Sequence, residues 1–331
     1  MLNDAVPRRD PIVVTVGFDS GYLAPASVLI KSCLLLHQAG ELQFEAMHDG
    51  SVNVDHRRLL TAMCAEHGAE IRFHRVDDDV VSRLPHIDRF GPIVWSRLFL
   101  PTLLQDLPRV LYLDSDVLVL GRLDPLWDTE LGMLPLAAVA NVVEPNAREH
   151  VARLGVDYPG GFFNSGVLLF DLDRMRREGS SNQLVEAALK HGDDLVWPDQ
   201  DVLNVVFNGR WHALHPRWNT QNSFWAWRDW AMEVFGVASL EEAVREPEIR
   251  HFEGPSVAKP WHYLCPMPHR DEYLHLLSLT PWADEPLQNR TISTRLIAQL
   301  PRRWQIETYA RVLQTRSRIR ARMHRAATRS R

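Results

Sequence analysis

Two aspartates one residue apart, in Leu113-Asp114-Ser115-Asp116-Val117-Leu118, follow directly on the apolar run RVLYLD. Side chains alternate along a strand, so an extended chain would project Asp114 and Asp116 to one side and Ser115 to the other. Paired carboxylates repel each other. A divalent cation removes that penalty, and hard oxygen ligands suit Mn²⁺ or Mg²⁺. The plain alternative is a pair of solvated turn carboxylates, which the apolar strand before them makes weaker. A second group, Phe163-Asn164-Ser165-Gly166, opens the apolar run VLLFDL. Glycine lets backbone approach a ligand closely, and asparagine offers both a donor and an acceptor; an ordinary turn is the alternative. A third, Pro198-Asp199-Gln200-Asp201, reads as a helix start with Asp199 as its cap. Its carboxylates either answer the helix dipole or face hydroxyls in a cleft. The fourth runs from His251-Phe252-Glu253-Gly254-Pro255 to Ala258-Lys259-Pro260-Trp261-His262. One histidine among 15 is usually structural. This one precedes a Gly-Pro turn and Lys259, which is one of three lysines in a chain with 37 basic residues. A neutral imidazole could complete a carboxylate-held cation, and a lysine could neutralise phosphate.

The elements that must position these groups follow from hydrophobic periodicity. Residues 12–18 (IVVTVGF) form a short β-branched run ending at a turn signal, and 23–37 has helical length, closed by Gly40. Residues 42–48 and 69–76 read as strands, separated by a helix over 55–67 that Gly68 caps. Strands alternating with helices of this length imply βαβ units and a mainly parallel sheet. Residues 109–114 add a strand whose continuous apolar character suits a sheet covered on both faces. Residues 136–142 and 162–171 give two more, followed by helices over 172–192 and 199–207. Beyond Trp211 the pattern weakens, with Trp218, Trp225, Trp227 and Trp230 crowded together. The expected organisation is one α/β domain over 10–262 and a helical, Arg-rich region over 263–331.

Composition sets the outer bounds. The chain has 331 residues, 45% hydrophobic and 24% charged, which excludes collagen-like, coiled-coil and wholly disordered readings. A chain of this length buries about three quarters of its unfolded surface and needs no staples. Cys33, Cys64 and Cys265 are odd in number and far apart, so neither a disulfide framework nor a four-cysteine zinc site is expected. No apolar run reaches membrane-spanning length. The opening MLNDAVPRRDPIVV lacks the pattern of a signal peptide, so a cytoplasmic chain is expected. Net charge is −5, but ten arginines and one acid fall between Arg302 and Arg331, leaving 27 basic and 41 acidic residues before them. Such a balance does not suit a nucleic-acid enzyme. Ile306, Tyr309, Leu313 and the Arg316 stem share a helical stripe beside the arginines, which suits peripheral contact of 302–331 with an anionic membrane. A solvated tail and a helix packed on the acidic body are the rival readings.

Together these groups resemble glycosyltransferase family 8, whose members include bacterial lipopolysaccharide galactosyl- and glucosyltransferases and glycogenin. The resemblance runs in order through VGFDSGY, SRLFLPTLL, RVLYLDSDVLVLGRLDPLW, FFNSGVLLFDL, PDQDVLN and HFEGPSVAKPWH, covering residues 12–262. It implies the GT-A fold, a Rossmann-like, mostly parallel sheet flanked by helices, and transfer of a hexose from a UDP-sugar with retention, using Mn²⁺. It implies Asp114, Asp116 and His251 as metal ligands bridged to the UDP phosphates. Gly17 and Asp19 would meet uracil and ribose, with Tyr22 and Ser115 also on the donor side. Arg97, Asn141, Asn164, Ser165, Asp199 and Gln200 would line the donor sugar, and Gly254 and Lys259 the diphosphate. Three departures stand out. Asp19-Ser20-Gly21-Tyr22 replaces the common Asp-Asp-Asn-Tyr, Asn141 stands where an aspartate is frequent, and four residues rather than two separate Gly254 from Lys259.

The implied chemistry is loss of UDP through an oxocarbenium-like state, with the metal and Lys259 stabilising the leaving group. The resemblance puts Gln200 on the opposite face of the sugar, and an amide is a poor nucleophile. Same-face attack is therefore favoured, with Asp201 as the alternative nucleophile and Asp199 beside it. The acceptor is a glycan, a glycolipid or another hydroxyl compound. Two other classes compete: a nucleotidyltransferase, against which no Gly-rich phosphate loop follows the first strand, and a catalytically silent carbohydrate- or nucleotide-sugar-binding protein.

Overall fold

A computed structural model describes residues 10–86 and 91–313. The expected alternation is present at the start. It consists of β1 (Ile12–Gly17), α1 (Leu23–Leu36), β2 (Leu42–His48), α2 (Val54–Ala65), β3 (Glu70–Arg75) and β4 (Arg109–Asp114). These strands pair in parallel in the order β3-β2-β1-β4. β1 and β4 are continuously apolar because both faces are covered. Val14, Val16, Leu111 and Leu113 pack under α1 with Leu29 and Ile30, while Val13, Val110 and Tyr112 face the opposite core.

β4 does not continue through the paired aspartates. It stops at Asp114, a turn carries Ser115 and Asp116, and a separate strand β5 (Val117–Val119) begins at once. The large sheet goes on through β6 (Leu136–Ala140), β7 (Phe163–Asp171) and β8 (His212–Ala213), giving seven strands ordered β3-β2-β1-β4-β7-β6-β8. It is mostly parallel, but β7 runs antiparallel to both β4 and β6. That reversal matters for the site, because it lays the first residues of β7 beside the last of β4. The β6–β7 register also slips between Ala138↔Leu168 and Val139↔Asn164, a bulge spanning Ser165–Val167.

The helix expected over 172–192 is two, α3 (Leu172–Arg177) and α4 (Ser180–His191), broken where Gly179 takes φ 66°. α5 (Pro198–Val206) follows. A second sheet, β5-β10-β9, is made with the short β9 (Thr220–Gln221) and β10 (Ile249–His251). The tryptophan-rich stretch folds into helices Arg228–Phe235 and Val237–Arg245, whose Ala231, Leu240 and Ala243 pack with Phe224 and Val142. Helix Arg270–Leu277 lays Tyr273 and Leu277 against Ala24 and Val28 of α1.

Residues 302–313 are helical. Of the stripe expected to face a membrane, Tyr309 is instead buried against Leu264 and Ile297, and its hydroxyl lies 3.2 Å from Nε2 of His262. Leu313 is exposed. The stripe is thus partly spent on the body, and Arg316 with the rest of the tail lies outside the described residues. No helix among the described residues is long and apolar enough to cross a membrane.

Candidate active site

The two aspartates converge through the tight turn between β4 and β5, not through strand alternation. β10 runs antiparallel to β5 with His251 opposite Val117, and the Phe252 N–H donates to the Asp116 carbonyl at 3.0 Å. One ligand atom each from Asp114, Asp116 and His251 comes within 4.8 Å of the others. One oxygen of each carboxylate is already engaged. Oδ1 of Asp114 accepts from Nη2 of Arg97 at 2.7 Å and from the Tyr112 hydroxyl at 3.1 Å, and Oδ2 of Asp116 accepts from Lys259. The remaining oxygens face Nε2 of His251, at 3.8 Å from Asp114 and 3.2 Å from Asp116. Burial alone would raise the Asp116 pKa, but Lys259 and His251 outweigh it and hold the carboxyl below the usual range. Two carboxylate oxygens and an imidazole nitrogen around one point form a donor set that fits Mn²⁺ or Mg²⁺. A single helical turn at Ser256–Ala258 precedes Lys259, whose ammonium reaches Asp116.

The bulge in β7 brings backbone against this cluster. A Cβ on Gly166 would lie 2.3 Å from Cε1 of His251 and 2.9 Å from Oδ2 of Asp114. The requirement is space, since neither the His251 ring nor the Asp114 carboxylate has somewhere to go. Gly166→Ala is therefore expected to weaken divalent-cation binding at this cluster about 100-fold, as other losses of ligand orientation do, while the chain still melts cooperatively. Calorimetric titration of Mn²⁺ into the folded variant checks this.

α5 is stapled onto the same bulge. The Ser165 hydroxyl donates to Oδ2 of Asp199 at 2.8 Å, and the Ser165 N–H donates to Oε1 of Gln200 at 3.0 Å. Arg97 joins the two halves of the site. Its Nη1 donates to the Ser165 carbonyl at 2.7 Å and lies 3.0 Å from Oδ2 of Asp199, while Nη2 holds Asp114. Burial raises the Asp199 pKa, with Arg97 acting against it. Two expectations change here. Asp199 is not the cap, because the helix opens with Pro198 after Trp197, placing Asp199 inside the first turn. Asp201 is fully buried and turned away from this cluster. Its Oδ2 accepts from Nε2 of His150 at 2.9 Å and from the Val196 and Trp197 N–H groups. Enclosed in that way it anchors the start of α5 and is out of reach as a nucleophile.

Gly17 ends β1 in register with Asp114, and a Cβ there would meet Oγ of Ser96 at 2.8 Å. Asp19 uses Oδ1 to accept from the Gly21 and Tyr22 N–H groups. Tyr22 meets Trp261 edge-on at 5.7 Å. Its hydroxyl pKa is raised by burial, with Lys259 opposing. Ser115 is buried in the turn, Gly254 takes φ 90° before Pro255, and Nδ2 of Asn164 donates to Oδ1 of Asn141 at 3.1 Å. The structure thus brings Asp114, Asp116, His251, Lys259, Arg97, Ser165, Asp199 and Gln200 into one connected cluster beyond the carboxyl end of β4, with Gly17 at the end of β1 beside it and Asp201 outside it. A cavity of about 570 Å³ at the opposite end of the strands, lined by Asp10, Arg109, Trp127 and Asp171, contains none of them; open α/β sheets bind ligands at carboxyl ends. Sequence reasoning missed Tyr112, whose hydroxyl on Asp114 is hidden in an apolar strand. It also missed Asn204, which ties Phe163 to α5, and Asn219. Only Asn204 carried a signal, as the last residue of PDQDVLN.

The family model described as "Glycosyl transferase family 8" matches residues 13–265. The chain belongs to glycosyl transferase family 8. Among its relatives, General stress protein A of Bacillus subtilis (strain 168) is 30% identical over 83% of this chain and 96% of its own length. The lipopolysaccharide 1,2-glucosyltransferase of Escherichia coli (strain K12) is 28% identical over 82% of this chain and 79% of its own. Among solved structures, the galactosyltransferase LgtC, in complex with donor and acceptor sugar analogs, superposes with a TM-score of 0.72 at 26% identity. That match covers 88% of this chain and 99% of LgtC. This family 8 chain is a glycosyltransferase with the GT-A fold.

Proposed function

We propose that this family 8 enzyme moves a hexose, glucose or galactose, from a UDP-sugar to a hydroxyl of a glycan or glycolipid. In this reading it does so with retention, dependent on Mn²⁺ or Mg²⁺, in cell-surface glycan or lipopolysaccharide synthesis. Residues 10–262 would form the catalytic domain and 263–331 its appendage. The observation that carries the reading is the convergence of the free oxygens of Asp114 and Asp116 with Nε2 of His251, beside Lys259. These three residues would hold the metal, which when bound supplies positive charge to the leaving diphosphate. Lys259 adds a fixed charge for the same oxygens, strongest in the transition state, and Gly254 gives the loop its turn towards them. Gly17, Asp19 and Tyr22 receive uracil and ribose, Asp19 through the Oδ2 that its turn leaves over, with Ser115 alongside. Asn141, Asn164, Ser165, Arg97, Asp199 and Gln200 surround the sugar. The C1–O bond to UDP breaks, the acceptor oxygen bonds to C1 on the same face, and the acceptor proton passes to the departing phosphate. This route needs no nucleophile opposite the leaving group, where Gln200 offers only an amide.

The test is UDP release from UDP-glucose, UDP-galactose and their N-acetyl forms, with and without Mn²⁺. Release from none of them sinks the reading, and release independent of metal sinks its metal-dependent part. Pyrophosphate release from UTP would point to a nucleotidyltransferase, and donor binding without turnover to a silent binding protein. Lys259→Ala is expected to lower turnover about 100-fold, more than it changes the donor's Michaelis constant. An effect on the Michaelis constant alone would mean that Lys259 binds the donor uniformly.

We also propose that residues 302–331 contact an anionic membrane from the cytoplasmic side, bringing the site to a lipid-anchored acceptor. The support is charge, since each arginine near such a surface contributes about 1 kcal/mol. Replacing the ten arginines with glutamine, which leaves the Tyr309 contact in place, is expected to abolish co-sedimentation with anionic vesicles at low salt. Equal sedimentation of both chains would rule out this docking.

A further inference from the structure

We infer that Asn219 is a positioning residue that fixes the proton of His251 on Nδ1 and so presents Nε2 to the metal. This inference rests on the metal site proposed above. The Gly166 backbone N–H can only donate, and it lies 3.0 Å from Oδ1 of Asn164. That contact orients the Asn164 amide, with Nδ2 donating to Asn141 at 3.1 Å. The atom of Asn219 that lies 2.8 Å from Oδ1 of Asn164 must then be its NH₂ group. This leaves the Asn219 carbonyl oxygen facing Nδ1 of His251 at 3.0 Å. A carbonyl oxygen only accepts, so Nδ1 carries the proton.

All of these side chains are buried, with Asn219 and His251 at 0% and 3% exposure, where polar groups are held in hydrogen bonds. Nε2 points at the free oxygens of Asp114 and Asp116, where only a lone pair contributes to holding a cation. A metal-bound imidazole ordinarily gives its other N–H to a carboxylate, a carbonyl or water, and losing that partner costs about 10–100-fold in metal affinity. The chain of amides has a second consequence. Its far end is Asn164 and Asn141, the residues assigned to the donor sugar, so the sugar end and the metal end share one set of hydrogen bonds.

The full chain is tested in two ways. In the parent saturated with Mg²⁺, long-range ¹H–¹⁵N spectra should give His251 Nδ1 the shift of a protonated nitrogen, with His251→Gln identifying the signal; a bare Nδ1 overturns the inference. Titration of Mn²⁺ followed by electron paramagnetic resonance should show affinity reduced about 10–100-fold in Asn219→Leu. Asn219→Asp, which keeps an acceptor for Nδ1, should recover most of that loss. If the parent binds Mn²⁺ and Asn219→Leu binds equally well, the metal reading stands and this inference alone fails. If the parent binds none, both fail. Should Asn219→Leu not fold, the spectrum of the parent and the affinity of Asn219→Asp decide.

Discussion

Asp116→Ala should lower transferase turnover roughly 1,000-fold, taking about 4 kcal/mol as the charge stabilisation a metal supplies. Asp116 is the more exacting of the two aspartates to lose. One of its oxygens faces His251 and the other accepts from Lys259, so a single substitution removes a metal ligand and frees the lysine. The loss is of a polar group beside a cleft and not of core volume, so a folded protein is expected. Lys259, largely but not fully enclosed, is left without its partner, however, and the variant should melt several degrees lower. Removing both residues separates the effects. Asp116→Ala with Lys259→Ala should regain part of the lost melting temperature, since no ammonium is then stranded, but no activity. Turnover near that of the parent in Asp116→Ala, at subsaturating Mn²⁺, would show that this residue does not hold the metal.

How far the sequence carried depended on what each signal encodes. β1 and β4 were legible because a strand covered on both faces must be apolar throughout, and no short polar segment imitates that. The direction of β7 was not, because Phe163–Asp171 is equally apolar read either way, and direction is decided by a long connection whose path composition does not fix. The expectation of a mainly parallel sheet left the direction of this strand open. The antiparallel pairing found is what sets Asn164, Ser165 and Gly166 against Asp114. The split between α3 and α4 rests on one glycine inside a helical pattern, which periodicity tolerates and geometry does not.

Within the site, the residue types were readable and their facing was not. Asp199 and Asp201 look equivalent in Pro198-Asp199-Gln200-Asp201. Two residues apart on a helix, they project about 200° apart. One reaches Arg97 and Ser165, the other His150 and the backbone before α5. Asp114 and Asp116 converge through a turn, which their spacing alone does not distinguish from strand alternation. Asn219 left no trace. It precedes a two-residue strand among crowded tryptophans, and its meaning comes from His251, 32 residues away.

The largest effect on stability should come from Arg97→Leu. Arg97 is 5% exposed and binds Asp114, Asp199 and the Ser165 carbonyl at once, with its guanidinium 4.3 Å from the centre of the Tyr112 ring. Leucine fills similar space but leaves the buried Asp199 and the partly exposed Asp114 without their shared cation, and stranding one side of a buried pair costs about 3–5 kcal/mol. At roughly 2–4 °C per kcal/mol for a large domain, the melting temperature should fall by about 6–20 °C. Arg97→Lys should not rescue it, because one ammonium does not span both carboxylates and the carbonyl as a planar fork does. The pH dependence gives the sign. Burial already raises the Asp199 pKa with Arg97 opposing it, so removing Arg97 raises it further. A carboxyl whose folded pKa lies above its unfolded value binds more protons when folded, and stability then increases as pH falls through that folded pKa. The deficit of Arg97→Leu relative to the parent should therefore shrink between pH 7.5 and pH 5 in thermal melts. A deficit that stays constant or widens on acidification would mean that Arg97 stabilises the fold by packing on Tyr112 and not by holding the charge of Asp199.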